Sequence, residues 1–169
     1  RSTWLPSALL DSGDRPRLVD ALFAASRHWS VSLHFNKGLA GAHEAAIDAS
    51  RKTATNPVVL DAFALAISAA EGRPAYPGIA GHEPDVSAAH RHAAAVGKAM
   101  GEVRRVAPLP GSYVSESDYF ESNWSEAYWG PNHARLADIK RRYDPDDLFI
   151  VRNGVGSERW SADGFTRLA

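Results

Sequence analysis

Over residues 29–36 apolar and polar side chains alternate without a break. Trp29, Val31, Leu33 and Phe35 fall on one side, Ser30, Ser32, His34 and Asn36 on the other. A period of two predicts a half-buried strand with one polar face. The strand runs into Lys37-Gly38-Leu39-Ala40-Gly41, where two glycines allow a bend or a close backbone approach. A second strand is predicted within residues 58–70. Phe63, Leu65 and Ile67 share one face there, and Ala62, Ala64, Ala66 and Ser68 the other. Side chains that small let a helix come close, so this strand is expected to be covered on both sides.

A period near 3.6 marks the helices. Residues 17–28 place Leu18, Leu22 and Ala25 on one stripe, widened by Val19 and Phe23, with Asp14 as a cap and Pro16 in the first turn. Residues 43–52 predict a short helix with a thin apolar face. Residues 86–106 give the clearest helix: Ala89, Ala93, Val96, Met100 and Val103 form its stripe, Asp85 its cap, and Arg104 and Arg105 suit the negative end of its dipole. Residues 113–120 read as extended or loop-like. Residues 125–143 read as a helix broken at Gly130-Pro131, with Trp129, Leu136, Ile139 and Tyr143 as a buried stripe, and Asp144-Pro145 stops it. Strands mixed with helices packed on one side predict an α+β layer. Two strands make a poor sheet alone, so partner strands are expected from outside the chain.

Composition narrows the function. With 19 basic and 20 acidic residues the formal charge is −1, which weighs against nucleic-acid or anionic-membrane partners. The chain has no cysteine, so thiol nucleophiles and cysteine-ligated metals are excluded within it. No apolar run approaches the length of a membrane-spanning helix. His43-Glu44 begins like a zinc-protease helix, but Ile47 stands where the second histidine belongs. His82, His90 and His92 lack a carboxylate at helical spacing, and no metal site is expected. There is no nucleophile elbow, and Gly38-Leu39-Ala40-Gly41 matches no phosphate loop. Asn123-Trp124-Ser125 fits the N-glycosylation rule.

Three blocks in residues 111–149 are more specific. Gly111-Ser112-Tyr113-Val114-Ser115-Glu116-Ser117-Asp118 comes first, then Trp129-Gly130-Pro131-Asn132-His133-Ala134-Arg135-Leu136. Ile139-Lys140-Arg141-Arg142-Tyr143-Asp144-Pro145 and Phe149 follow. In order and spacing they resemble the berberine-bridge-enzyme region of the vanillyl-alcohol-oxidase type of FAD-linked oxidases, whose pattern runs Y-x-N-x-x-D, G-x-N-x-x-R-L and K-x-x-Y-D-P-x-x-x-F. The run from His34 to Gly41 and the tail Gly154-Val155-Gly156-Ser157-Glu158-Arg159-Trp160 further resemble a secreted fungal branch that includes isoamyl alcohol oxidase-like proteins.

The resemblance implies an antiparallel sheet with helices on one face, completed by strands from a missing N-terminal segment. Residues 1–110 would be the later part of the substrate-binding domain, and residues 111–169 a segment packing back on the FAD domain. The partner would be the N-terminal FAD-binding portion, in the same chain or as a separate cleaved one. The 169 residues alone are expected to bind no FAD. The implied chemistry is oxidation of an alcohol or related substrate, with hydride passing to flavin and oxygen reoxidising it to give hydrogen peroxide. Asn132 matches the flavin-side asparagine, and its amide can both donate and accept. Tyr113 matches the motif tyrosine and would line the pocket. Ser115 stands where the motif has asparagine; this one departure favours the alternative of a catalytically inactive binding or scaffold domain. His34 is the candidate base, because imidazole changes charge near neutral pH. Tyr113 is the alternative, although a phenol needs strong activation. Lys37 is the candidate cation for the reduced flavin, and Asn36 joins His34 in the substrate pocket. The protein is expected to be secreted and extracellular, with Asn123 glycosylated.

Overall fold

The computed structural model describes residues 1–36, 39, 41–107 and 111–168. Strand β3 (Ala62–Ile67) lies at the centre of a three-stranded antiparallel sheet, with β1 (Ser2–Pro6) on one side and β2 (Ser32–Phe35) on the other. Thr3, Ala66 and Leu33 stand in one cross-strand row, and Trp4, Leu65 and His34 in the next. Side chains alternate between faces, so the first row looks toward the helices and the second away from them.

Helices α1 (Arg15–Ser26) and α3 (Val86–Arg104) cover one face. The core joins Leu5, Ala64 and Ala66 of the sheet to Leu18 and Ala25 of α1 and to Ala99, Met100 and Val103 of α3. Alanines on the central strand let the helices sit close, as the small-residue face predicts. Leu65, on the opposite face, is also buried, so β3 is covered on both sides.

The α+β class with helices on one sheet face is thus observed. The third strand, however, comes from within the chain. Residues 2–6 carry too short an alternation to stand out in sequence, and β1 is recruited by pairing with β3 and by the Trp4 amide donating to the Gly111 carbonyl (3.1 Å). The outer edge of β2 carries no strand among the described residues.

Other elements correct the sequence reading. Asp85 caps α3 through the Ala88 amide (2.8 Å), as expected, but only Val96, Ala99, Met100 and Val103 are buried. Ala89 and Ala93 are exposed, and the first half of α3 is held by His92 against Trp29 (ring centroids 5.0 Å). Asp14 makes no cap bond and pairs with Arg17 instead (2.6 Å). Val19 and Phe23 of α1 face solvent. Residues 58–61 belong to a 3-10 turn (Pro57–Asp61), not to the strand, because Pro57 withholds the amide a ladder needs.

Helix α2 (Glu44–Arg51) starts at His43, whose Nδ1 accepts from the Ala45 amide (3.3 Å). The predicted broken helix is α4 (Trp124–Trp129) and α5 (His133–Tyr143), split at Gly130. Its stripe is not buried as expected: Ile139 and Tyr143 are exposed, as are Leu148, Phe149 and Val151 just beyond. Among the described residues nothing covers that side of α5.

Candidate functional site

The helix-free face of the sheet collects the first set of site residues. His34 sits on it, exposed, in register with Leu65 and Trp4. Tyr113, also exposed, lies beside Trp4 with ring centroids 6.4 Å apart and planes tilted by 57°. A buried serine pair fixes that arrangement. Ser2 and Ser112 share a hydrogen bond of 2.8 Å, and the Ser2 hydroxyl accepts the Tyr113 amide at 3.1 Å. The Ser112 amide donates to Ala127 O in α4 (2.9 Å). The segment after residue 110 is therefore bonded along β1, and it delivers Tyr113 to the face that already carries His34.

Trp4 is the residue of this face that the sequence reading missed. The run Ser2-Thr3-Trp4-Leu5 ended by Pro6 was a weak strand signal. Its indole rests where Gly111 has no side chain: a Cβ at 111 would lie 2.8 Å from Val58 Cγ1 and 3.2 Å from Trp4 Cδ1. Asn36 has a fixed structural engagement. Its amide group donates to Val59 O (2.8 Å), and its backbone amide to Phe63 O (2.7 Å), tying the end of β2 to the turn before β3. Lys37 lies outside the described residues. Ser115 is exposed within a 3-10 turn (Val114–Glu116).

Asn132 stands in a second cluster. Its Nδ2 donates to Thr53 O (3.1 Å) and Thr55 O (2.9 Å). Arg135 donates to Lys52 O beside them (3.2 Å). Both amide hydrogens of Asn132 are thus spent on backbone, leaving Oδ1 as an acceptor. The half-buried position keeps that oxygen within reach of a donor from outside the chain.

Directly after these threonines comes Asn56, another residue the sequence reading passed over. It is buried, donates Nδ2 to the carbonyls of Glu126 (3.2 Å) and Ala127 (3.0 Å), and accepts the Val58 amide (3.2 Å). Gly130 makes room for it: φ is +53°, and a Cβ there would lie 2.8 Å from Asn56 Oδ1. The Asn-Pro start of a 3-10 turn was the available signal.

A third cluster fixes the C-terminal tail. Asp144 accepts from Lys140 and from the amides of Leu148 (2.8 Å) and Phe149 (3.0 Å). Lys140 first, then these amides, hold its carboxyl below the usual carboxylate range. A lowered carboxylate pKa means stabilisation that is present above about pH 4, the ordinary aspartate value, and lost as pH falls through the lowered value. In an acid titration followed by NMR, the Leu148 and Phe149 amides are expected to hold their native shifts to below about pH 4. In Asp144→Asn the acid step disappears; an unchanged step would assign it elsewhere. Asp147, with a fully buried side chain, takes Arg159 on one carboxylate oxygen and the Trp160 indole N–H (3.0 Å) on the other.

Asn123 is exposed immediately before α4. Among the described residues no group of three histidines or carboxylates could hold a metal ion.

Residues 112–156 match the family described as berberine and berberine like. The FAD-linked oxidoreductase notD' of Aspergillus versicolor is 52% identical over 62 residues, 36% of this chain and 10% of that protein. The VAO-type flavoprotein oxidase VAO615 of Thermothelomyces thermophilus is 45% identical over 64 residues, 37% of this chain and 11% of that protein. Among solved structures, the VAO-type flavoprotein MtVAO615 from Myceliophthora thermophila C1 superposes with a TM-score of 0.71 at 25% identity, covering 95% of this chain and 27% of that one. MtVAO713 from the same organism gives the same TM-score and coverage at 20% identity, a likeness of fold. The matches thus span 10% and 11% of the two curated relatives.

Proposed function

We propose that this chain is part of a VAO/berberine-bridge-type FAD-linked oxidoreductase and forms the substrate-side wall of an oxidase whose FAD-binding portion lies in the rest of the protein. The observation that carries this reading is the helix-free sheet face with exposed His34 and Tyr113, closed on its other side by α1 and α3. The sequence holds no G-x-G-x-x-G or P-loop motif for a pyrophosphate, which supports the ADP end of the cofactor being gripped elsewhere. The ring end suits what this chain presents: an open aromatic and polar face, and an Asn132 oxygen that can only accept, complementary to a ring N–H. Residues 1–110 serve the substrate side and residues 111–169 return to the flavin portion. Exposed Tyr143, Leu148, Phe149 and Val151 are the surface that packs on it.

In the proposed reaction an alcohol or related substrate would lose its O–H proton to His34 and its C–H hydrogen as hydride, with oxygen as the final oxidant giving hydrogen peroxide. The bound flavin supplies the electron acceptor. His34 receives the proton at an imidazole nitrogen. Tyr113 is the alternative proton acceptor, Ser115 is assigned to the cofactor side, and Lys37, outside the described residues, is assigned the positive charge for the reduced ring. Asn36 sets the angle at which β2 presents His34. The protein acts outside the cell, and the exposed Asn123 sequon is glycosylated; a mass shift on endoglycosidase treatment tests that part.

The full-length protein is expected to be yellow, to bleach when mixed anaerobically with its alcohol, and to release peroxide in air. His34→Ala is expected to slow bleaching by on the order of tenfold or more with flavin content unchanged. A colourless full-length protein favours the alternative, an inactive binding or scaffold role to which Ser115 in place of the motif asparagine would belong.

A further inference from the structure

We propose that the cleft beside the C-terminal tail is the seat of the glycan on Asn123, with the first N-acetylglucosamine stacked on Phe120 and bounded on its other side by Trp160 and Phe165. The inference rests on the reading that Asn123 is glycosylated, and it adds where the sugar lies and what holds it.

The cleft has a volume of about 670 Å³, within the range that takes small ligands. Residues 119–124 form one wall and residues 150–165 the other. Asn123 stands at the rim, because its neighbours Ser122 and Trp124 both line the cleft. Its side chain is exposed and makes no cap bond to α4, so the amide nitrogen that would carry the sugar is not committed to the helix. Its carbonyl accepts the Ala127 amide (2.9 Å), which fixes the backbone from which the sugar would leave.

Phe120, one turn of chain before Asn123, is 75% exposed. Its ring meets Tyr119 edge-on, with centroids 5.1 Å apart and planes at 82°. The Arg152 guanidinium already lies over Tyr119, 4.4 Å from its centroid, so Phe120 is the open plane of the pair. The turn that carries it is tightly bonded. Asp118 accepts the Phe120 amide on its carboxylate (3.0 Å) and the Glu121 amide on its carbonyl (3.1 Å), and Glu121 pairs with Arg104 of α3 (2.9 Å). The two walls are tied as well: Arg152 donates to Tyr119 O (3.1 Å) and Ala162 O (2.8 Å), and Asn153 donates to Tyr119 O (3.1 Å). A seat already built costs little ordering when it is filled.

The chemistry of the lining selects the occupant. The substituents of N-acetylglucosamine are all equatorial, so its ring faces are C–H surfaces that stack on an aromatic plane, while hydroxyls project from its edge. Phe120 supplies the plane, and the Glu158 and Asp163 carboxylates in the lining accept from the hydroxyls. An apolar stretch of the FAD-binding portion would cover those carboxylates without bringing donors.

The test uses the full-length protein from a secreting eukaryotic host. The mass of the peptide containing residue 123 gives the occupancy. With carbon-13 in the acetyl groups of the glycan, NMR is expected to show the acetyl methyl of the first sugar upfield of its free-glycan position, shielded by the Phe120 ring. In Phe120→Ala that methyl is expected to return to the free position, and a peptide amidase acting on the native protein is expected to release the glycan about tenfold faster. Phe120→Leu keeps apolar bulk without the plane and is expected to follow Phe120→Ala. A methyl at the free position in the unmodified protein, or equal release from all three proteins, overturns the seat and leaves glycosylation standing; a cleft filled by the FAD-binding portion gives that result. A peptide unmodified at Asn123 overturns seat and glycosylation together. Should Phe120→Ala not be secreted, the methyl position in the unmodified protein and release from Phe120→Leu decide.

Discussion

Asn56→Ala is expected to lower unfolding free energy by about 2–3 kcal/mol, read by urea unfolding followed through tryptophan emission. The side chain is buried and joins three backbone groups from two distant parts of the chain: the carbonyls of Glu126 and Ala127 and the amide of Val58. Ala127 O also accepts the Ser112 amide (2.9 Å), so it keeps a partner. Glu126 O likewise keeps the Gly130 amide, whereas the Val58 amide loses its acceptor, and a void opens against Gly130. Asn56→Asp sharpens the test. It has nearly the same volume, yet it turns a carboxylate oxygen toward two carbonyl oxygens, so it is expected to cost at least as much as alanine. If aspartate proves neutral, the amide donation is not what matters. Gly130→Ala is costly for a related reason, since φ is +53° and the new methyl meets Asn56. In the Asn56→Ala background part of that cost disappears, so the two changes together cost less than their sum.

Asp147→Ala is expected to release the tail at a local cost of about 3 kcal/mol. The carboxylate is wholly buried and holds the Arg159 guanidinium and the Trp160 indole N–H, with Arg167 3.9 Å away. Removing it leaves an arginine and an indole donor without their acceptor. Hydrogen exchange at the Trp160, Ser161 and Leu168 amides, which are bonded within the tail, is expected to speed up while the α3 amides hold. Uniform acceleration through the whole chain would contradict a local latch. Asp147 also has φ +55°, a conformation aspartate tolerates better than most residues, so Asp147→Asn is expected to keep the backbone while losing the charge-assisted bond.

How much of this was legible beforehand depended on the range of the interaction that decides each feature. The alternation at residues 29–36 put Leu33 and His34 on opposite faces, as the register shows, but β2 spans only Ser32–Phe35, and Phe35, expected with the apolar side, is exposed. The cap at Asp85 and the break at Gly130 are local chemistry, and both were read. Strand β1 was not, because its signal is its partner, β3, sixty residues downstream. Trp4 was therefore missed together with the strand that carries it. Asn56 and the serine pair were invisible for the same reason: each joins segments far apart in sequence. The stripe on α5 erred in the opposite sense. Its period was real, but Ile139 and Tyr143 are exposed, and a period alone cannot say what covers a stripe. Among the site residues, Asn36 is engaged with backbone carbonyls and Asn132 with Thr53 and Thr55, bonds between separate segments that residue type alone does not reveal.

The bare margin of β2 has a practical meaning. Among the described residues its peptide groups are paired on one side only, and every copy of the polypeptide offers the same unsated ribbon to every other. Produced by itself in a bacterial host, the stretch would be drawn toward inclusion bodies by edge-to-edge strand addition, and rescue would come from co-expressing the sequence that normally lies alongside, more than from any change within the helices.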